Sequence, residues 1–130
     1  MASIRRDVEL QADPASVWTA VCAVGEIHTR LARGFVTMTE LEGNDRIVHF
    51  ANGLTARERI VTVDARERRL VYTVIGGRAT HHNAAFEVFD APGGRTRLVW
   101  TTDVLPDDVA PAVGGMMDQG LIAIRRTLEG

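Results

Sequence analysis

The sequence has no lysine, one cysteine and no long apolar run, and each of these shortages excludes a class of protein. All 15 basic residues are arginine, so catalysis through a lysine Schiff base is excluded. Cys22 has no second cysteine to pair with, which excludes an intrachain disulfide and a zinc site built from thiolates. Its helical spacing among apolar neighbours predicts a small core residue rather than a reactive thiol.

Membrane and nucleic-acid partners are not expected either. No apolar run reaches the roughly 20 residues that a membrane-spanning helix needs. The opening "MASIRRDVELQ" has two arginines but no apolar segment after them, so it does not resemble a signal peptide. The net charge of −2 produces no field that would attract nucleic acid or acidic lipid. We therefore expect a cytoplasmic protein.

The chain is predicted to form one domain over residues 1–130, because no linker, repeat or low-complexity tract divides it. Its first part predicts a strand, "SIRRDVELQ", followed by a helix, "DPASVWTAVCAV". Asp13 is the expected N-cap of that helix and Pro14 its first residue. Gly25 interrupts it, and "EIHTRLARG" predicts a second short helix that ends at Gly34.

Three antiparallel hairpins are predicted next. "FVTMTELE" and "RIVHFA" flank "GND", "LTARERIVTVD" and "RRLVYTVI" flank "ARE", and "THHNAAFEVFD" and "TRLVWTTDV" flank "APGGR". The last segment has a helix-entry signal at residues 106–108, followed by an apolar stripe at helical spacing. This order predicts an α+β fold in which a curved sheet wraps one long helix and leaves a cavity beside it. The stripe consists of Val109, Val113, Met116, Met117, Gly120, Ile124 and Leu128.

Three stretches carry a resemblance to a known superfamily: "DPASVW", "ERIVTVDARERRLVYTVIGG" and the exit "WTTDVLP" into the last helix. With the order of elements, they resemble the polyketide cyclase/dehydrase and START-type ligand-binding superfamily, often called SRPBCC. The resemblance covers essentially the whole chain and is strongest to small bacterial polyketide cyclase-like proteins. It implies the helix-grip fold, with about seven antiparallel strands around a long C-terminal helix. It specifies function weakly, because the superfamily includes lipid carriers, hormone receptors and aromatic cyclases.

Strand alternation predicts which side chains line the cavity. If Arg57 and Arg59 face water, Glu58 and Thr62 face inward. The same argument applied to the later strands leaves His81 and Asn83 outside, while the phase of "RIVHFA" is ambiguous. Together with the helix stripe, it predicts a cavity lined by Leu70, Tyr72, Val74, His82, Ala84, Phe86, Trp100, Met116, Met117 and Gly120.

Two of these inward residues can carry proton chemistry. A glutamate in an apolar pocket has a raised pKa and can act as an acid, and a histidine near neutrality can pass a proton either way. His82 as base, with Glu58 or Tyr72 as donor, would serve aldol cyclisation or dehydration of a polyketone. The alternative is a core histidine that only hydrogen-bonds Glu58 or Tyr72.

His28 lies on the second short helix, which the resemblance places near the cavity mouth, so it is a candidate ligand contact. His28, His82 and Glu58 lack the spacing of a metal site, and we predict neither a metal nor a cofactor.

Two functions of different classes follow. The favoured one is binding of an apolar or aromatic small molecule in the cavity; the other is a polyketide cyclase or dehydratase that uses His82 and Glu58 as an acid/base pair. Pairing of an edge strand with a second copy, giving a homodimer, is compatible with both.

Overall fold

The amino-terminal elements follow the predicted order, with one helix shorter than expected. The computed structural model describes residues 2–130 and begins with strand β1, Ala2–Leu10, and helix α1, Pro14–Cys22. Asp13 caps α1 as predicted, because its carboxylate accepts a hydrogen bond from the Ser16 backbone N–H at 3.0 Å. The second predicted helix is a single π-helical turn, Ile27–Leu31. Cys22 is half-buried, so its predicted place in the core is wrong.

The three predicted hairpins form the sheet. Its remaining strands are β2 (Val36–Glu42), β3 (Asp45–Phe50), β4 (Thr55–Asp64), β5 (Arg69–Ile75), β6 (His81–Ala91) and β7 (Arg95–Leu105). Each pairs antiparallel with its neighbour in sequence, and β1 pairs antiparallel with β7. The order is therefore β1-β7-β6-β5-β4-β3-β2, with β1 and β2 at the edges.

The long carboxy-terminal helix closes the fold against the sheet. A 3₁₀ turn, Asp107–Val109, leads from β7 into helix α2, Ala110–Glu129. The predicted stripe faces inward: Met117, Gly120 and Ile124 are buried, because this face packs against β1, β7 and the π-helical turn. This arrangement of sheet and helix confirms the predicted helix-grip fold. None of the helices within residues 2–130 is long and apolar enough to cross a membrane.

A β-bulge in β4 changes the alternation that the sequence predicts. The pairing of β4 with β5 shifts register between Ile60 and Thr62, which leaves Val61 as the extra residue. Thr62, predicted to face inward, is exposed, and Val61 is 58% exposed. The inward assignment of Thr62 is therefore wrong, whereas Glu58 precedes the bulge and keeps its predicted orientation.

A cluster of charged side chains links the start of β3 to the neighbouring strand β4. The Asp45 carboxylate accepts hydrogen bonds from Arg57 Nη1 at 2.7 Å and from Arg59 Nε at 2.8 Å. Hydrogen bonds from Arg59 and Arg57, opposed by burial, lower the pKa of Asp45 to about 2. A carboxyl whose pKa is lower in the folded state stabilises the fold above its unfolded pKa and loses that effect as pH falls.

We therefore expect the Asp45→Asn variant to be less sensitive to acid than the natural protein. Between about pH 4 and pH 2, the midpoint of urea unfolding should fall more steeply in the natural protein, because only its Asp45 takes up a proton on unfolding. Urea titrations at several pH values measure this difference, with Glu67→Gln at an exposed hairpin tip as the control. Parallel curves for Asp45→Asn and the natural protein would show that Asp45 contributes no such linkage.

Candidate functional site

A pocket of about 340 Å³ lies between the sheet, the π-helical turn and α2. Strands β3 to β7 form one wall and α2 the opposite wall, and most of the lining is apolar. Phe86 and Trp100 stack with their ring centroids 4.6 Å apart, which gives the sheet wall a flat aromatic surface. The polar side chains on the lining are Arg46, Thr55, Glu58, Tyr72, Arg78, His82 and Thr102.

Most of the residues predicted for the cavity lie on this pocket. The structure brings together on its lining Glu58, Tyr72, Val74, His82, Phe86, Trp100, Met116, Met117 and Gly120. Whether any of them contacts a ligand stays a prediction.

Leu70 and Ala84 do not line the pocket, contrary to expectation. Both face the predicted side of the sheet, but they are 0% and 1% exposed and belong to the main core cluster with Leu10 and Val17. Alternation gives the face of a strand but not which helix covers it, and α1 packs against β6. We therefore correct their role from ligand contact to core packing.

His28 is also placed away from the pocket. Its Nδ1 lies 3.2 Å from the Thr39 hydroxyl oxygen on β2, whereas Ile27 and Leu31 supply the part of the π-helical turn that lines the pocket. The resemblance implied the correct element near the pocket but the wrong side chain. The reason is the register of the turn, which directs residues 27 and 31 inward and His28 towards β2.

Glu58 does not pair with His82 but forms a buried ion pair with Arg46. The Arg46 Nε donates to Glu58 Oε1 at 2.8 Å, and the two side chains are 2% and 9% exposed. Arg46 Nη1 also donates to the Val24 carbonyl oxygen at 3.4 Å. Burial raises the pKa of Glu58, and the positive charge of Arg46 opposes that rise. A buried guanidinium cannot lose its proton, so Glu58 serves as its counter-ion in the ionised form.

Tyr72 links this ion pair to the aromatic wall. The guanidinium carbon of Arg46 lies 5.1 Å from the centre of the Tyr72 ring, a cation–π distance. The indole N–H of Trp100 donates to the Tyr72 hydroxyl oxygen at 3.2 Å. Burial and the nearby charge of Glu58 raise the pKa of Tyr72, so its hydroxyl stays protonated at neutral pH. Arg46, Glu58, Tyr72 and Trp100 thus form one polar cluster at the pocket wall.

His82 stands apart from this polar cluster. Its side chain lines the pocket and makes no hydrogen bond with Glu58 or Tyr72. Burial, with a smaller effect from the charge of His81, lowers the pKa of His82. The imidazole is therefore neutral at physiological pH, and the predicted acid/base pair of His82 and Glu58 is not assembled.

Arg46 is the site residue that sequence reasoning missed. The alternation of "RIVHFA" was ambiguous, although it placed Arg46, Val48 and Phe50 on one face. A sharper signal was available, because the hairpin that turns through "ANGL" between β3 and β4 sets Arg46 directly opposite Glu58. An inward glutamate requires a partner of opposite charge, and the cross-strand position holds one.

Comparisons with known proteins agree on the fold. The family model described as polyketide cyclase / dehydrase and lipid transport matches residues 1–129. A Thermobifida fusca protein solved by NMR is 30% identical, with coverage of 96% of this chain and 91% of that one and a TM-score of 0.77. The protein XoxI from Bacillus cereus is 18% identical, with coverage of 98% and 96% and a TM-score of 0.87.

A START superfamily protein from Mycobacterium smegmatis is 14% identical, covers 98% of this chain and 94% of its own, and has a TM-score of 0.74. No curated protein matches the chain by sequence. At these identities the matches to XoxI and the START protein show a shared fold and nothing further.

Proposed function

The chain belongs to the polyketide cyclase/dehydrase and lipid transport family, and from this membership and the shape of its pocket we propose that it binds an apolar or aromatic small molecule between the sheet and α2. The observation that carries the proposal is a mostly apolar pocket with one polar cluster whose charges cancel. Ligand sites have this composition, in which apolar walls supply affinity and a few polar groups fix orientation.

The aromatic wall favours a flat ligand. Phe86 and Trp100 are already stacked, and Trp100 is held by its hydrogen bond to Tyr72, so the surface is formed without the ligand. A preorganised wall loses little side-chain entropy on binding. Met116 and Met117 on the opposite helix can adapt to ligands of different outline, because methionine side chains are flexible and polarizable.

Catalysis of cyclisation or dehydration by His82 and Glu58 is the alternative, and the geometry favours it less. Glu58 is engaged by Arg46, and a carboxylate held as a counter-ion is a poor general acid. His82 has no hydrogen-bond partner among the described side chains that would orient it, although a proton-transferring histidine is normally held in place by a second group.

Filling the pocket should weaken ligand binding. Val74 lines the pocket and lies opposite Glu58 in the β4–β5 ladder, so Val74→Trp places an indole in the space of the ligand. We expect the affinity for the neutral fluorescent probe N-phenyl-1-naphthylamine to fall at least ~10-fold, equivalent to ~1.4 kcal/mol. Fluorescence titration measures it.

Val61→Trp is the matched control, because Val61 is exposed at the bulge and is not part of the pocket lining. This variant should bind the probe within about 2-fold of the natural protein, as expected for a surface change. Equal binding by both variants, or no saturable binding by the natural protein, would contradict the proposed function.

A further inference from the structure

The polar cluster of the pocket keeps one acceptor unused, on Glu58, and more than one donor, because the Tyr72 O–H is unused and Arg46 donates only two of its five N–H groups to Glu58 and Val24. Glu58 is buried, and its Oε1 accepts from Arg46, but its Oε2 accepts no hydrogen bond from any side chain or backbone group of residues 2–130. Tyr72 is 4% exposed, and its oxygen accepts from Trp100, but within the same part of the chain its hydroxyl hydrogen has no acceptor. No fully buried side-chain nitrogen or oxygen within residues 2–130 lacks a hydrogen-bond partner, so Glu58 Oε2 must be accessible, and Glu58 lines the pocket. Glu58 Oε2 and the Tyr72 O–H are therefore two positions that a ligand in the pocket can use.

Glu58 and Tyr72, which carry these two positions, are neighbours in the cluster, and the charge of Glu58 raises the pKa of Tyr72. The guanidinium of Arg46 contacts both residues, with a hydrogen bond to Glu58 and a cation–π contact with the Tyr72 ring. Both residues line the same pocket. A small group at this end can therefore meet an acceptor and a donor together.

The charge of the cluster selects what that group can be. The ionised Arg46 and Glu58 sum to zero, and Arg78, the other charged side chain on the lining, is exposed to solvent. A ligand anion or cation held at the cluster would therefore be buried without a counter-charge of its own. A ketone or ether oxygen could accept from Tyr72 but would leave Glu58 unsatisfied. A hydroxyl satisfies both, because it donates one hydrogen bond and accepts another.

We propose that this end of the pocket recognises one uncharged hydroxyl group, as of a phenol or an enol, on an aromatic ligand. The hydroxyl donates to Glu58 Oε2 and accepts from the Tyr72 O–H, while the ring system packs against Phe86 and Trp100. This inference rests on the proposed function, since it specifies the ligand class of the same pocket.

Three naphthalenes that differ in one substituent test the inference on the unaltered protein. 2-Naphthol can donate and accept, 2-methoxynaphthalene can only accept, and naphthalene can do neither. By isothermal titration calorimetry we expect 2-naphthol to bind at least ~10-fold more tightly than either of the others. In a pocket without hydrogen-bond partners the order would reverse, because the hydroxyl would lose its hydration for nothing.

The Tyr72→Phe variant removes the donor and keeps the ring. Because it also removes the acceptor of the Trp100 N–H, both ligands can lose affinity through the aromatic wall, and the readout is the ratio of the two affinities. Binding of 2-naphthol should weaken roughly 5- to 10-fold more than binding of naphthalene, a selectivity that a general loss of packing would not produce. Thermal unfolding checks that the variant is folded, and the comparison of probes on the natural protein does not depend on it.

The outcomes separate this inference from the proposal beneath it. If all three probes bind with similar affinity, or 2-naphthol binds most weakly, hydroxyl recognition is wrong and binding of apolar molecules stands. If neither these probes nor N-phenyl-1-naphthylamine binds, the proposed function fails and the inference fails with it.

Discussion

Replacing Arg46 by Met should lower the free energy of unfolding by about 3–5 kcal/mol at pH 7, and so should replacing Glu58 by Met. Each single substitution leaves one charge buried without its partner, since the side chains are 2% and 9% exposed in the pair. The double substitution Arg46→Met with Glu58→Met removes both charges and fills the site with flexible apolar side chains. It should lie within about 1 kcal/mol of the natural protein.

The two single variants should respond differently to pH. In Arg46→Met, Glu58 is buried without a positive partner. Its pKa in the folded state is then above the unfolded value, because burial already raises that pKa in the natural protein and the opposing charge of Arg46 is removed. A raised carboxyl pKa stabilises the fold below the unfolded pKa, and this effect is lost as pH rises through the folded pKa. The loss of unfolding free energy caused by Arg46→Met should therefore become smaller as the pH is lowered from 7 towards 4.5.

The Glu58→Met variant has no such relief, because the guanidinium of Arg46 stays charged at every accessible pH. Urea unfolding of the four proteins at pH 7 and pH 5 gives the double-mutant cycle at both values. A coupling below about 1 kcal/mol at pH 7 would mean that water reaches the pair and that it behaves like an exposed salt bridge.

The same ion pair shows how far the sequence could predict the site. Strand alternation correctly turned Glu58 and Tyr72 towards the pocket, because β4 and β5 keep a strict period of two up to the bulge. It could not identify the partner of Glu58, since alternation describes faces within one strand and the pairing of Arg46 depends on register between strands. His82 was therefore assigned a partner that the fold gives to Arg46.

The order of elements was easier to predict than their edges. Short turns between apolar runs forced neighbouring strands to pair, and this predicted the hairpins of the sheet. The bulge at Val61 contains no turn residue or proline, so no sequence signal in "RERIVTVD" predicted that Thr62 would face solvent. Likewise, Leu70 and Ala84 were correctly placed inside, but only the packing of other elements against the sheet decides that they are core and not pocket.

Replacing two glycines of α2 by alanine should change the free energy of unfolding in opposite directions. Gly115 is exposed and a Cβ there would meet nothing within 4 Å, so Gly115→Ala should raise the free energy of unfolding by about 0.5–1 kcal/mol through helix propensity. At Gly120 the same Cβ would lie 2.9 Å from Trp100 Cζ3 and 3.3 Å from Phe35 Cε2. Gly120→Ala should instead lower the free energy of unfolding by about 1–2 kcal/mol, because overpacking outweighs the same gain in propensity.

The clash at Gly120 is costly because Trp100 has little freedom to move away. Its ring stacks on Phe86 and its N–H is bonded to Tyr72, so any displacement weakens both contacts. The same displacement alters the aromatic wall of the pocket. Gly120→Ala should therefore also weaken binding of N-phenyl-1-naphthylamine by roughly 3- to 10-fold, while Gly115→Ala leaves it unchanged.

Urea unfolding and probe titration of the two variants measure both effects on proteins of identical composition. If Gly120→Ala is more stable than the natural protein and binds the probe with unaltered affinity, Trp100 can move aside without loss of stability. The aromatic wall would then adapt to its ligand instead of being preorganised. Because Gly115→Ala adds the same methyl group about 1.4 turns earlier on α2, the difference between the two variants isolates the contact with Trp100 from helix propensity.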